Sequence, residues 1–90
     1  MQEFTKLVEI LENYVEVEDI SPDSNFKADL EMSSFDTMCV VTDVKTIFGV
    51  DLKARDFIDH KTVGELAKYI ASAKQIYRAR KRISLLQSKN

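Results

Sequence analysis

Tryptophan is absent from this 90-residue chain, and cysteine, histidine and proline each occur once and glycine twice. Each scarcity closes off a class of protein. A lone Cys39 excludes an internal disulfide and any zinc site built from cysteines alone, and it fits a reducing, cytoplasmic setting. A lone His60 excludes a metal centre of clustered imidazoles, and it reads as a loop residue just ahead of a helix. Cys39 and His60 are the only thiol and imidazole that could act as nucleophile and base, yet Cys39 stands mid-helix among valines, where a structural thiol is expected. The longest apolar run, Met38 to Val41, has four residues, far short of the roughly 20 that a membrane span needs. The opening MQEFTKLVEI mixes charges into its apolar residues, so no signal-peptide core is expected.

What is present is a globular, helix-rich composition with 44% apolar and 31% charged residues. A chain of this length forms one domain with a small core, burying only about 60% of the surface its unfolded form exposes. The net charge of −2 is unevenly spread: residues 1–73 hold 15 acids against 7 Lys and Arg, whereas residues 74–90 hold 6 Lys and Arg and no acid. An acidic body therefore carries a basic extension.

Phe4, Leu7, Val8, Leu11 and Val15 recur at steps of three and four, which predicts a first helix over about residues 2–16, with Val15–Val17 as its fraying end. Pro22, Asp23, Ser24 and Asn25 supply turn chemistry to a long loop pinned by Ile20, Phe26 and Leu30. A second helix is expected from Ser33 or Ser34, with Phe35, Met38, Val41, Val44 and Phe48 as its apolar stripe and Gly49 as its terminator. A short turn of helix is expected at Ala54–Ile58. Thr62 and Glu65 form a capping-box pattern for a further helix with Val63, Leu66, Ala67 and Ile70 inward. Ile76, Ala79, Ile83 and Leu86 share a face that continues it as a basic amphipathic extension to about residue 87. The architecture is an all-α bundle of three longer helices and one short one.

No glycine-rich phosphate loop, paired-glutamate scheme or Ser-His-Asp set can be assembled, so an autonomous enzyme is not expected. Asp29, Glu31, Asp36, Asp43, Asp51, Asp56 and Asp59 lack calcium-loop spacing and read as a solvated acidic face that favours basic partners. Ser34 has two readings, a helix cap or a modification site whose phosphate ester would sit at the positive end of a helix dipole.

The motif DLEMSSFD at Asp29–Asp36 resembles the loop before the second helix of acyl carrier proteins. So do ISPDSNF at Ile20–Phe26, IFGVDL at Ile47–Leu52 and KTVGELAKYI at Lys61–Ile70, together spanning roughly residues 4–73. The resemblance implies an acyl-carrier-like four-helix bundle over residues 1–73 with residues 74–90 as the basic extension. It implies phosphopantetheine on Ser34, donated from coenzyme A by a separate phosphopantetheinyl transferase, with acyl groups held as thioesters for fatty acid, polyketide or related lipid biosynthesis. Partner docking falls on Phe35, Asp36, Met38 and Asp43. Val41, Val44, Ile58, Val63 and Leu66 are candidates to line an acyl groove, no metal is involved, and the expected form is a monomer.

Glu31, Ser33 and Phe35 depart from the family's glycine, aspartate and leucine. Cys39, Lys45 and Thr46 stand where fatty-acid-synthesis carriers often place glutamates. The resemblance implies acyl-loading and acyl-processing enzymes with basic patches as partners, and these departures, which weaken docking to a standard set of such patches, favour a specialised carrier. The alternatives are an unmodified helical docking module that uses its acidic face, a carrier of amino or aryl acids, and, third, a nucleic-acid-binding domain. The acidic body opposes the last, so no nucleic acid partner is expected. The basic extension could contact an anionic membrane, fold back on the body or engage an acidic partner.

Overall fold

The computed structural model describes residues 2–74. The expected extension, Lys74 excepted, lies outside the described residues. Among the described residues four helices appear in chain order: α1 (Gln2–Glu12), α2 (Ser34–Phe48), α3 (Ala54–Asp59) and α4 (residues 63–74).

Helix α1 buries Leu7, Ile10 and Leu11 and ends earlier than the predicted residue 16. Asn13 and Tyr14 donate their N–H groups to the carbonyls three residues back, at 3.2 and 2.9 Å, which tightens the chain into a turn. Val15 is still buried, although the chain has left the helix there, so apolar spacing outlasts helical geometry. Val15 N–H still donates to the Leu11 carbonyl at 3.0 Å, a last α-type bond, so the helix frays out at Val15, and residues 16 and 17 lie beyond it.

Helix α2 begins at a complete capping box: Asp36 N–H donates to Ser33 Oγ, and Ser33 N–H donates to Asp36 Oδ2, both at 3.1 Å. It stops at Gly49, whose φ of 72° lies in the left-handed region and whose N–H donates to the Lys45 carbonyl at 2.9 Å. Its buried face is Val40 and Val44, with Val41 and Phe48 half-buried. The predicted stripe is corrected at two positions, because Phe35 and Met38 are 75% and 70% exposed.

Helix α4 has the expected cap, Glu65 N–H to Thr62 Oγ1 at 3.2 Å with Thr62 N–H returning to Glu65 Oε2 at 3.4 Å. Val63, Leu66, Ala67 and Ile70 have no exposed surface and join Leu7, Leu11, Val40 and Val44 in one core.

The loop from 22 to 32 is held to the start of α4 by backbone bonds. Phe26 N–H donates to Lys61 C=O at 3.1 Å, Val63 N–H to Ser24 C=O at 3.0 Å and Gly64 N–H to Pro22 C=O at 2.9 Å. That last approach needs glycine, since a Cβ at position 64 would lie 2.9 Å from both the Cβ and the carbonyl oxygen of Pro22. Gly64→Ala is therefore expected to destabilise the fold, because overpacking of about 1–3 kcal/mol outweighs the helix-propensity gain of about 1 kcal/mol. A urea midpoint at or above that of the parent would show that the loop gives way freely.

Candidate functional site

Asn25 organises the turn that precedes α2. Its side-chain Oδ1 accepts the N–H groups of Lys27 and Ala28, both at 2.9 Å, while Asp29 Oδ2 accepts the N–H of Asn25 at 2.7 Å. Met32 N–H closes the turn on the Phe26 carbonyl at 3.1 Å. Glu31 has φ 51°, a left-handed conformation that suits glycine and costs another residue roughly 1–2 kcal/mol. The turn geometry thus survives at the position where the resemblance has glycine.

Ser33 and Ser34 are separated by this geometry. Ser33 spends its hydroxyl as the cap, so the cap reading of Ser34 is excluded. Ser34 is the first helical residue, exposed, and its hydroxyl bonds to no other described residue. It stands on the rim of an open cleft of about 870 Å³ between the 25–33 turn, the start of α2 and α3. The cleft's apolar lining includes Phe26, Met32, Met38, Phe57 and Ile58. Phe26 and Phe57 meet edge to face there, ring centroids 5.0 Å apart, fixing the turn against α3.

The remaining candidates are distributed differently. Asp36 is held in the capping box. Asp43 accepts the Tyr14 hydroxyl at 2.5 Å, and this bond, with burial and the carboxylate's charge, pushes the phenol up to about 12. Phe35 and Met38 flank Ser34 with their side chains in solvent. Of the expected groove residues, Ile58 lines the cleft, Val41 is half-buried, and Val44, Val63 and Leu66 lie in the closed core. His60 follows α3 and stacks on Tyr69 at 4.5 Å. Cys39 is half-buried. Phe26, Met32 and Phe57 were not among the groove candidates: two sit in a turn without periodicity and one in a helix too short to show any.

A free, exposed serine hydroxyl at a helix N-terminus, beside an apolar cleft, is chemically suited to a phosphate ester bearing a flexible arm. Residues 5–70 match the family model described as "Phosphopantetheine attachment site". The chain belongs to that family. Among solved structures it is similar to the acyl carrier protein from Enterococcus faecalis, with a TM-score of 0.66 and 27% identity, the match covering 80% of this chain and 94% of that one. The protein is accordingly an acyl carrier of this family, a non-catalytic protein whose covalent prosthetic group is phosphopantetheine. Membership implies two kinds of partner, a phosphopantetheinyl transferase and acyl-processing enzymes. Among the described residues no helix is long and apolar enough to cross a membrane.

Proposed function

We propose that Ser34 is the residue that carries phosphopantetheine, and that the protein serves a specialised acyl pathway, polyketide or related lipid synthesis, rather than housekeeping fatty acid synthesis. The observation that carries the first part is the division of labour between the two serines: Ser33 caps the helix and Ser34 is left with a free hydroxyl at the rim of the cleft. Ser34 has no base of its own among its hydrogen-bond partners, so its proton passes to a base that the transferase supplies. The N-terminus of α2 favours the resulting phosphate diester by roughly 0.3–1 kcal/mol. When bound, the arm supplies a terminal thiol on which acyl groups are held as thioesters. The chain's own part is to present Ser34 and to offer the cleft as shelter from water.

The second part is supported by the state of the acids on α2. Asp36 and Asp43 both accept hydrogen bonds within the chain, while Phe35, Met38 and Ile47 are exposed and Lys45 and Thr46 follow on the same helix. A docking surface of this kind is more apolar than a row of free glutamates, and its contacts with basic enzyme patches are correspondingly fewer. We include in the proposal that the carrier acts as a cytoplasmic monomer and that its basic extension provides any contact with membranes.

The reading is tested by intact mass after incubation with coenzyme A and a broad-specificity transferase. A gain of one phosphopantetheine, mapped to the peptide containing Ser34, supports it; a folded protein that gains nothing, while a known carrier is modified in parallel, sinks it. Docking has its own check. Phe35→Ala is expected to lower kcat/KM for the transfer about tenfold or more, as removal of an aromatic anchor does at a protein interface. The same change at an exposed position leaves stability within about 0.5 kcal/mol. An unchanged transfer rate would remove Phe35 from the docking surface.

A further inference from the structure

The charge of the cleft runs against the charge of the body. Of the 15 acids in residues 1–73 none lines it, whereas two of the seven Lys and Arg do, Lys27 and Lys61. The bond from Phe26 N–H to the Lys61 carbonyl at 3.1 Å brings the two lysine-bearing stretches side by side, although they are far apart in sequence. Both side chains are exposed, and among the described residues neither is in an ion pair. Asp29 accepts the Asn25 N–H, Asp56 the Lys53 N–H and Glu65 the Thr62 N–H, Asp59 pairs with Arg55, and no carboxylate of the described residues, Glu31 included, lies within ion-pair distance of either lysine. Two neighbouring cations without an ion-pair partner, set at the edge of an apolar cleft, concentrate positive potential there in an otherwise acidic body.

We propose that Lys27 and Lys61 recognise a carboxylate at the free end of the carried acyl group. The cargo class is then an acyl chain that ends in a carboxylate rather than in a methyl group. Its methylenes lie on Phe26, Met32, Phe57 and Ile58, and the terminal anion is paired at the lysine edge. This rests on Ser34 as the attachment point. The arm's own phosphate is a second source of negative charge, but it is bonded directly to Ser34. The N–H groups of Ser34 and Phe35, which donate to no described residue, serve it there at the start of α2. The lysines are left for the cargo.

The test compares three forms of the full chain: phosphopantetheine alone, hexanoyl-loaded from hexanoyl-coenzyme A, and adipyl-loaded from adipyl-coenzyme A. Lysine side-chain NMR signals are read for all three against the unmodified chain, and thioester cleavage by hydroxylamine is read for the two acyl-loaded forms. The adipyl form is expected to shift the Lys27 and Lys61 signals and to resist cleavage about two- to fivefold better than the hexanoyl form, the ratio that an exposed ion pair supplies. The difference is expected to vanish at about 0.5 M salt and in the Lys27→Gln/Lys61→Gln double variant. Equal shifts in all three forms would assign the anion to the arm's phosphate and overturn the proposal, as would no shift in any. Protein that takes up no arm at all fails the attachment reading itself, and the cargo assignment falls with it. Protein that loads normally but protects both cargoes alike overturns the cargo assignment alone.

Discussion

Ser34→Ala is expected to abolish phosphopantetheine attachment outright while leaving stability within about 0.5 kcal/mol, and Ser33→Ala is expected to do the reverse. The two outcomes depend on which hydroxyl the helix uses. Ser33 Oγ receives the Asp36 N–H and holds Asp36 in place to receive the Ser33 N–H, so its loss removes the cap and weakens the return bond. Such a loss costs about 0.5–2 kcal/mol. Ser34 makes no comparable bond, and alanine at the first position of a helix is well tolerated. Mass spectrometry of the two variants after transferase treatment, with urea unfolding of each, separates the two roles. Modification that persists in Ser34→Ala and disappears in Ser33→Ala would move the attachment site by one residue and undo the assignment.

The second large effect is structural. Leu66 has no exposed surface and sits in the cluster shared by α1, α2 and α4. Leu66→Ala should therefore lower the unfolding free energy by about 2–5 kcal/mol, the transfer loss plus the cavity. An average domain with a 73-residue body has only about 4–11 kcal/mol in total. The urea midpoint should fall steeply with the slope unchanged. A loss below about 1 kcal/mol would mean that the neighbouring helices collapse onto the gap. The same variant also reports on cargo depth. If hexanoyl loading recovers the lost stability, the carried chain reaches the space left by Leu66; if the deficit persists, the chain stops at the cleft floor.

Much of this fold was legible because its helix ends are written in local chemistry. Thr62 with Glu65, the Ser33–Ser34 pair before Asp36, and Gly49 after Phe48 each state a boundary through one side chain or one backbone angle. The inner face of α4 was equally plain, since Lys68 and Glu65 mark its wet side. Helix α2 was not, because Phe35, Met38, Cys39, Val40, Val41, Val44, Ile47 and Phe48 surround it with apolar side chains. Periodicity then cannot choose the buried face, and the choice falls to packing against α1 and α3, which favours Val40 over Phe35 and Met38. Ser34 was singled out through its motif. The cleft beside it was not found, because it is assembled from a turn, a short helix and Lys61, segments that carry no period and meet only in three dimensions.

Lys74, the last described residue, is fixed at the far end of the bundle. Its ammonium pairs with Glu3 at 3.3 Å and lies 5.6 Å from the centre of the Phe48 ring, and the pairing holds the Glu3 carboxyl below its usual range. Phe48 is the final residue of α2 and Ser34 the first, so the two ends are separated by the helix length, roughly 20 Å. Lys74 thus sits at the opposite pole to Ser34. A partner that held the carrier at the Lys74 pole would leave the Ser34 pole open, so that the protein would be retained at one end and served at the other. Retention of that sort would raise the local concentration of the carrier around a fixed assembly without adding any contact at Ser34.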